Sequence, residues 1–148
     1  KDPEWKVYHA TEYIIKLINE KRITPKRPID KSIAFHDPCY LGRINDLYSP
    51  PRDIILNLPD ARFRELGRHH KNGFCCGGGG GGMWLHEHLG RRMNMIRAEE
   101  VIGTGADLLA TACPYCMVMM TDGIKYKNQE EKMKNYDIAE MVSMSLGL

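Results

Sequence analysis

The sequence predicts an α/β domain, a mainly parallel sheet flanked by helices. Short β-prone segments alternate with stretches of helical periodicity, which is the pattern of β-α-β units. The cysteines follow predicted strands, and parallel sheets collect functional groups at the carboxyl ends of their strands. A length of 148 residues, 43% hydrophobic and 27% charged, suits a single domain with a substantial core.

Trp5, Ala10, Tyr13, Ile14, Leu17 and Ile18 recur at helical spacing, and Lys21 and Arg22 suit the end of that helix, where the dipole favours cations. Thr24 to Pro28, with two prolines, breaks the chain. Residues 1–28 thus hold a helix and a linker ahead of the first strand. Lys31 to Phe35 is a strand ending at His36-Asp37-Pro38-Cys39. Ser49-Pro50-Pro51 predicts a helix start, with a capping serine and a proline at the first helical position. That helix runs through Ile54, Ile55 and Leu58 to its stop at Pro59.

Arg62 to Leu66 is the second predicted strand, followed by a loop from Gly67 to Gly82. A long helix is expected from Met83 to Ile102, with Leu85, Leu89, Met93 and Ile96 on one face and Gly103-Thr104-Gly105 ending it. Asp107 to Ala112 is a third strand, apolar enough to be buried on both faces. Pro114 opens a helix through Met117 and Met120, whose methionines read as packing residues. Met133 to Tyr136 predicts a fourth strand. Asp137-x-x-Glu140 predicts a capping box that opens a last helix carrying Met141, Val142 and Ser145.

A formal charge of +2 does not suit a dedicated nucleic-acid binder. No uncharged apolar run reaches the roughly 18 residues of a membrane span; the most apolar stretch, Ile102 to Met120, is interrupted by Asp107, Pro114 and cysteines. The chain opens at Lys1 without a basic-then-apolar leader, and reads as a piece of something longer.

Five cysteines are an odd number, and a domain of this size needs no disulfide stapling. Cys39 follows the first predicted strand, Cys75 and Cys76 the second, and Cys113 and Cys116 the third, so all can meet at one sheet edge. Thiolates select zinc, copper(I) or iron–sulfur clusters. Zinc and ordinary clusters take four ligands, one fewer than are present. Adjacent cysteines also point in different directions, which suits neighbouring irons better than one zinc. The arithmetic leaves a polynuclear cluster with unusual ligation, or a four-ligand site with a spare thiol. Burial as ordinary hydrophobic cysteine accounts for one or two of the five, not for all.

Cys113-Pro114-Tyr115-Cys116 also has the form of a glutaredoxin redox sequence, but a thioredoxin-like fold needs a downstream cis-proline and no proline follows Pro114. The run Gly77 to Gly82 matches a nucleotide fingerprint trivially. It reads either as a flexible loop or as backbone that brings amide N–H groups, beginning at Gly77, against cluster sulfurs. Among the histidines, His86 and His88 face different ways on the expected helix, and His69-His70 read as a solvated loop. His36 alone lies near the thiols, as a structural residue or a hydrogen-bond donor.

The strings His36-Asp37-Pro38-Cys39, Cys75-Cys76-Gly77 followed by glycines and Met83-Trp84, and Thr111-Ala112-Cys113-Pro114 recur at two long and similar spacings. Together they resemble the cysteine-rich CCG domain of heterodisulfide reductases, in their B- and D-type subunits, and of glycolate oxidase iron–sulfur subunits. The resemblance spans about residues 31 to 146. It implies the C-terminal CCG domain, residues 29–148, of a longer iron–sulfur oxidoreductase, with residues 1–28 as the lead-in helix and linker from an upstream domain, in a cytoplasmic complex or one peripheral to the inner membrane. Its partners would be upstream domains of the same chain and other redox subunits, flavoprotein or ferredoxin-like. Residue by residue it implies Cys39, Cys75, Cys76, Cys113 and Cys116 as ligands of a non-cubane [4Fe–4S] cluster, acting on a disulfide, a thiol or a quinone-linked acceptor. Zinc in a structural or interaction domain is the alternative metal. Gly82 departs from the family pattern, which leads to expect a basic residue before Met83-Trp84.

Overall fold

The structure, a computed structural model, describes residues 5–86 and 90–148. Four strands, β1 (Ser32–Phe35), β2 (Arg62–Arg64), β3 (Leu108–Thr111) and β4 (Lys134–Asp137), form one sheet in the order β2-β1-β3-β4. Every pairing is parallel. Five helices accompany them: α1 (Ala10–Asn19), α2 (Ser49–Leu56), α3 (Met93–Gly103), α4 (Pro114–Tyr126) and α5 (Ile138–Leu146). The expected α/β fold is the one observed.

Side-chain alternation along the two central strands builds two cores. Ile33, Phe35 and Ala110 face one side, where Ile54, Ile55, Ile138, Met141 and Val142 cover them and Ile14, Ile15 and Ile18 of α1 pack alongside. Ala34 and Leu109 face the other, against Ala98 and Val101 of α3 and Met119, Met120 and Ile124 of α4. The chain leaves β1 through α2 toward β2, and leaves β3 through α4 on the opposite face toward β4. The carboxyl ends of β1 and β3 therefore diverge, and a crevice opens between them at the topological switch point.

Local chemistry sets the helix ends. Asp137 accepts from the Ala139 amide while Glu140 accepts from the Asp137 amide, the reciprocal cap expected at α5. The first helix is shorter than its hydrophobic pattern: His9 and Glu12 form a capping box that starts it at Ala10, and Trp5 lies outside it, exposed. In α2, Ser49 is the first helical residue rather than the cap. A serine cap bonds the amides two or three residues ahead, and Pro51 has none to offer.

The expected helix from Met83 is the main correction. Gly79–Trp84 forms a kinked 3₁₀ segment in which Gly80 and Gly81 have φ of 60° and 78°, Leu85 is extended and exposed, and α3 starts only at Met93. The extended backbone at Leu85 ends the segment before an α-helix can form. His86 lies outside any helix, and His88 and Leu89 lie outside the described residues. The buried face of α3 is not the one the periodicity picked: Asn94, Arg97, Ala98 and Val101 point inward, whereas Met93 is exposed.

The contact between α3 and α4 is close because of Gly123, where an added Cβ would stand 2.8 Å from both Ala98 Cβ and the Asn94 carbonyl oxygen. Gly123→Ala would gain up to about 1 kcal/mol of helix propensity. Separating the helices should cost about 1–3 kcal/mol, so the urea midpoint should fall. A raised midpoint would show that the helices part freely.

Candidate metal centre

Three chain segments bring sulfur to the crevice. Cys39 ends the segment leaving β1 and begins a π-helical turn, Tyr40–Ile44, in which the Ile44 amide bonds the Cys39 carbonyl at 3.2 Å. Such turns are rare and concentrate at functional sites. Cys113 leaves β3 as the N-cap of α4, with Pro114 at the next position, and Cys116 follows one turn later, buried. Cys75 and Cys76 come from the crossover after β2; Cys76 is buried and Cys75 half-buried.

Cys76 Sγ lies 3.4 Å from Cys116 Sγ, and His36 completes a buried trio whose ligand atoms lie within 4.8 Å of one another. Cys39 and Cys113 share the wall of a cleft of about 520 Å³. Cys39 and Cys75 line a narrower recess on the other side. All five thiols thus surround one place. Gly77, with φ of 82°, turns its amide to Cys75 Sγ at 3.3 Å, and the Gly78 amide bonds Cys76. A Cβ at Gly77 would stand 2.9 Å from Met93 Cβ, and one at Gly78 would stand 3.0 Å from Met119 Cγ. Here the glycines let backbone amides reach sulfur. Gly82 has a cause of its own, since a Cβ there would collide with the Gly77 carbonyl oxygen.

Negative charge gathers on two of the sulfurs. Cys76 is held well below the ordinary thiol range by hydrogen bonds from Cys116 and Cys75, against burial, with His36 and the Gly78 amide adding to them. Cys113 falls to about 6 because Cys116 and the amides at the start of α4 donate to it, again against burial. Cys116 and Cys75 are pushed up, as the protonated partners of those bonds and by burial. Two thiolates in a partly closed crevice, with three more sulfurs beside them, form a soft-metal donor set.

Residues 33–121 match the family model described as the CCG cysteine-rich domain. The chain belongs to the CCG family. It is 40% identical over 143 residues to the Probable iron-sulfur-binding oxidoreductase FadF of Bacillus subtilis, covering 97% of this chain and 20% of that protein. It is 35% identical over 145 residues to the EtfAB:quinone oxidoreductase of Syntrophomonas wolfei, covering 93% and 20%. It is 34% identical over 148 residues to a subunit of the Dihydromethanophenazine:CoB--CoM heterodisulfide reductase of Methanosarcina barkeri, covering 100% and 36%. The chain thus spans between a fifth and little more than a third of the length of these relatives.

Around the thiols this CCG domain buries charges that hydrophobic patterning does not reveal. Arg52, on the inner face of α2, grips Asp37 with two hydrogen bonds of 2.8 and 2.9 Å, and Glu65 with two of 2.7 and 3.0 Å. Asp37 also accepts from the His70 amide at 2.9 Å, so the cysteine-bearing turn, α2 and the crossover are tied together. His69 and His70, expected in a solvated loop, are only partly exposed: their Nδ1 atoms lie 2.6 Å apart, and the His70 ring packs on Tyr48. They and Glu65 also bring ligand atoms within 4.8 Å, but Arg52 holds both Glu65 oxygens, so this group braces the loop.

Burial opposes the charge on Asp37, but the Arg52 hydrogen bonds and charge outweigh it and hold the carboxyl below its ordinary 3.8. A depressed acid stabilises the fold above its unfolded value and loses that contribution as pH falls through the folded one. Asp37→Asn should therefore lower stability at pH 7 by about 3 kcal/mol or more. The gap to the wild type should narrow below pH 3.8. Urea unfolding at a series of pH values checks this; parallel curves would place the acid-sensitive group elsewhere.

Proposed function

We propose that this CCG domain is the cluster-bearing part of an iron–sulfur oxidoreductase, with Cys39, Cys75, Cys76, Cys113 and Cys116 holding one non-cubane [4Fe–4S] cluster. The observation that carries the reading is the convergence of five sulfurs from three segments on one crevice. The donor set fits: soft ligands, two of them already low in pKa, an adjacent pair, and two amides directed at sulfur. Relatives named as iron–sulfur-binding, quinone-reducing and heterodisulfide-reducing proteins support the same class. When bound, such a group supplies one-electron transfer.

The chain's own residues decide access. The cleft beside Cys39 and Cys113 is lined by Tyr40, Leu41, Asn45 and Leu47, so these sulfurs are approachable while Cys76 and Cys116 are closed off. A disulfide or thiol, a quinone-linked acceptor or a donor protein would meet this open side. Reducing a disulfide takes two electrons, so a flavoprotein or ferredoxin-like partner, or further domains of a longer chain, would supply them in turn. Among the described residues no helix is long and apolar enough to cross a membrane, which is compatible with a cytoplasmic or peripheral place in such a complex. A second reading is a structural zinc site, to which the buried Cys76 and Cys116, with sulfurs 3.4 Å apart, would supply two of the four ligands.

Anaerobic reconstitution with metal analysis separates the two. About four irons per chain and a paramagnetic signal on oxidation or reduction are expected; one zinc and no iron would establish the structural site instead. Cys39→Ala should lose most of the iron. Full iron and an unchanged spectrum in that variant would reduce the site to four thiolates with a spare. Steady-state assays of the longer protein should show reduction of either a thiol disulfide or a quinone analogue, and this chain alone should accept electrons only from artificial donors. Turnover by the chain alone at the rate of the longer protein would refute the need for partners.

A further inference from the structure

Arg97 is the largest fully buried side chain among the described residues, on a helix face that would otherwise be filled by apolar groups. Its Nε donates to His36 Nδ1 at 3.1 Å, and its Nη1 donates to the Arg68 carbonyl at 2.9 Å and to Glu100 at 2.8 Å. Glu100 in turn accepts from the Arg68 amide and side chain, so the guanidinium is fixed from behind. His36 also stands beside Cys76, a ring nitrogen within 4.8 Å of the Cys76 sulfur, and its presence there favours the thiolate.

Proton inventory decides what this row does. A guanidinium Nε is only a donor, so His36 Nδ1 must present its lone pair to Arg97. The neutral ring then carries its proton on Nε2, and a bond from this ring to Cys76 runs from N–H to sulfur. The same assignment removes His36 from the metal ligands despite its distance, because the lone pair a metal needs is engaged by Arg97. We propose that Arg97 and His36 act together as a positioning pair that directs one N–H at the Cys76 sulfur and thereby raises the reduction potential of the group that sulfur holds. Hydrogen bonds to cluster sulfurs are a general lever on potential, and a partner on a ring's other nitrogen fixes the ring's orientation. The proposal rests on the reading of Cys76 as a ligand.

Two measurements on the 148-residue chain test it. In the first, the iron-loaded chain is titrated electrochemically. His36→Leu and Arg97→Met should keep the iron content and shift the midpoint negative, and the double variant should shift no further than the larger single one. His36→Gln, which retains an N–H donor, should recover most of the shift. An unchanged midpoint in iron-replete His36→Leu would overturn the proposal. Loss of iron from folded His36→Leu and His36→Gln alike would overturn it too, by making His36 a ligand. In the second, nitrogen-15 NMR of the metal-free chain reads the ring directly, independent of any cluster and of whether a variant folds. The Nε2–H tautomer is expected in the wild type, with mixed tautomers in Arg97→Met; an Nδ1–H ring in the wild type would overturn the pair. Failure of the wild type to take up iron would instead defeat the cluster reading, and the tautomer measurement would still decide the pair.

Discussion

Sulfurs from three distant stretches of chain can share one crevice only if the sheet delivers them to the same edge. The order β2-β1-β3-β4 does this: the two central strands end side by side, and the chain departs from them in opposite directions. The divergence leaves room between their carboxyl ends, and it places the start of α4 there, where unpaired amides favour thiolate at Cys113. The two apolar cores on either face keep these strand ends rigid, so the crevice is set by packing rather than by the sulfurs themselves.

Two buried arginines then convert a crevice into a site. Each faces one half of the turn His36-Asp37: Arg52 clamps the carboxylate and Arg97 the imidazole. Burying a guanidinium is expensive unless its donors are matched: Glu65 and the Tyr48 carbonyl join Asp37 on Arg52, whereas on Arg97 the Arg68 carbonyl and Glu100 satisfy Nη1 and Nη2 is left without a partner. The consequence is mechanical as much as electrostatic. The turn that carries Cys39, the crossover that carries Cys75 and Cys76, and the two helices α2 and α3 become one hydrogen-bonded body.

The sulfur group is asymmetric in its exposure. Cys76 and Cys116 are sealed against α4 and the glycine segment, while Cys39 and Cys113 border open space. Amide donors reach both sides, from Gly78 to Cys76 on the sealed one and from the start of α4 to Cys113 on the open one.

Most of the fold could be read from the sequence, because short apolar segments, prolines and the Asp137 cap are local signals that tertiary contacts reinforce. The long helix from Met83 could not, because periodicity takes no account of the left-handed turn at Gly80 and Gly81 or of the extended backbone at Leu85. The five cysteines and Gly77 were likewise visible as residue types at telling spacings. Arg52, Arg97 and Asn94 were not, since a charged or polar residue on a helix reads as solvent-facing until the partner that justifies its burial is known. What the sequence determined alone was the set of sulfur-bearing residues and the order of elements. The tertiary structure decided which helix face turns inward and which histidine nitrogen faces Arg97. Both depend on contacts between segments far apart in the chain, and local composition holds no record of those contacts.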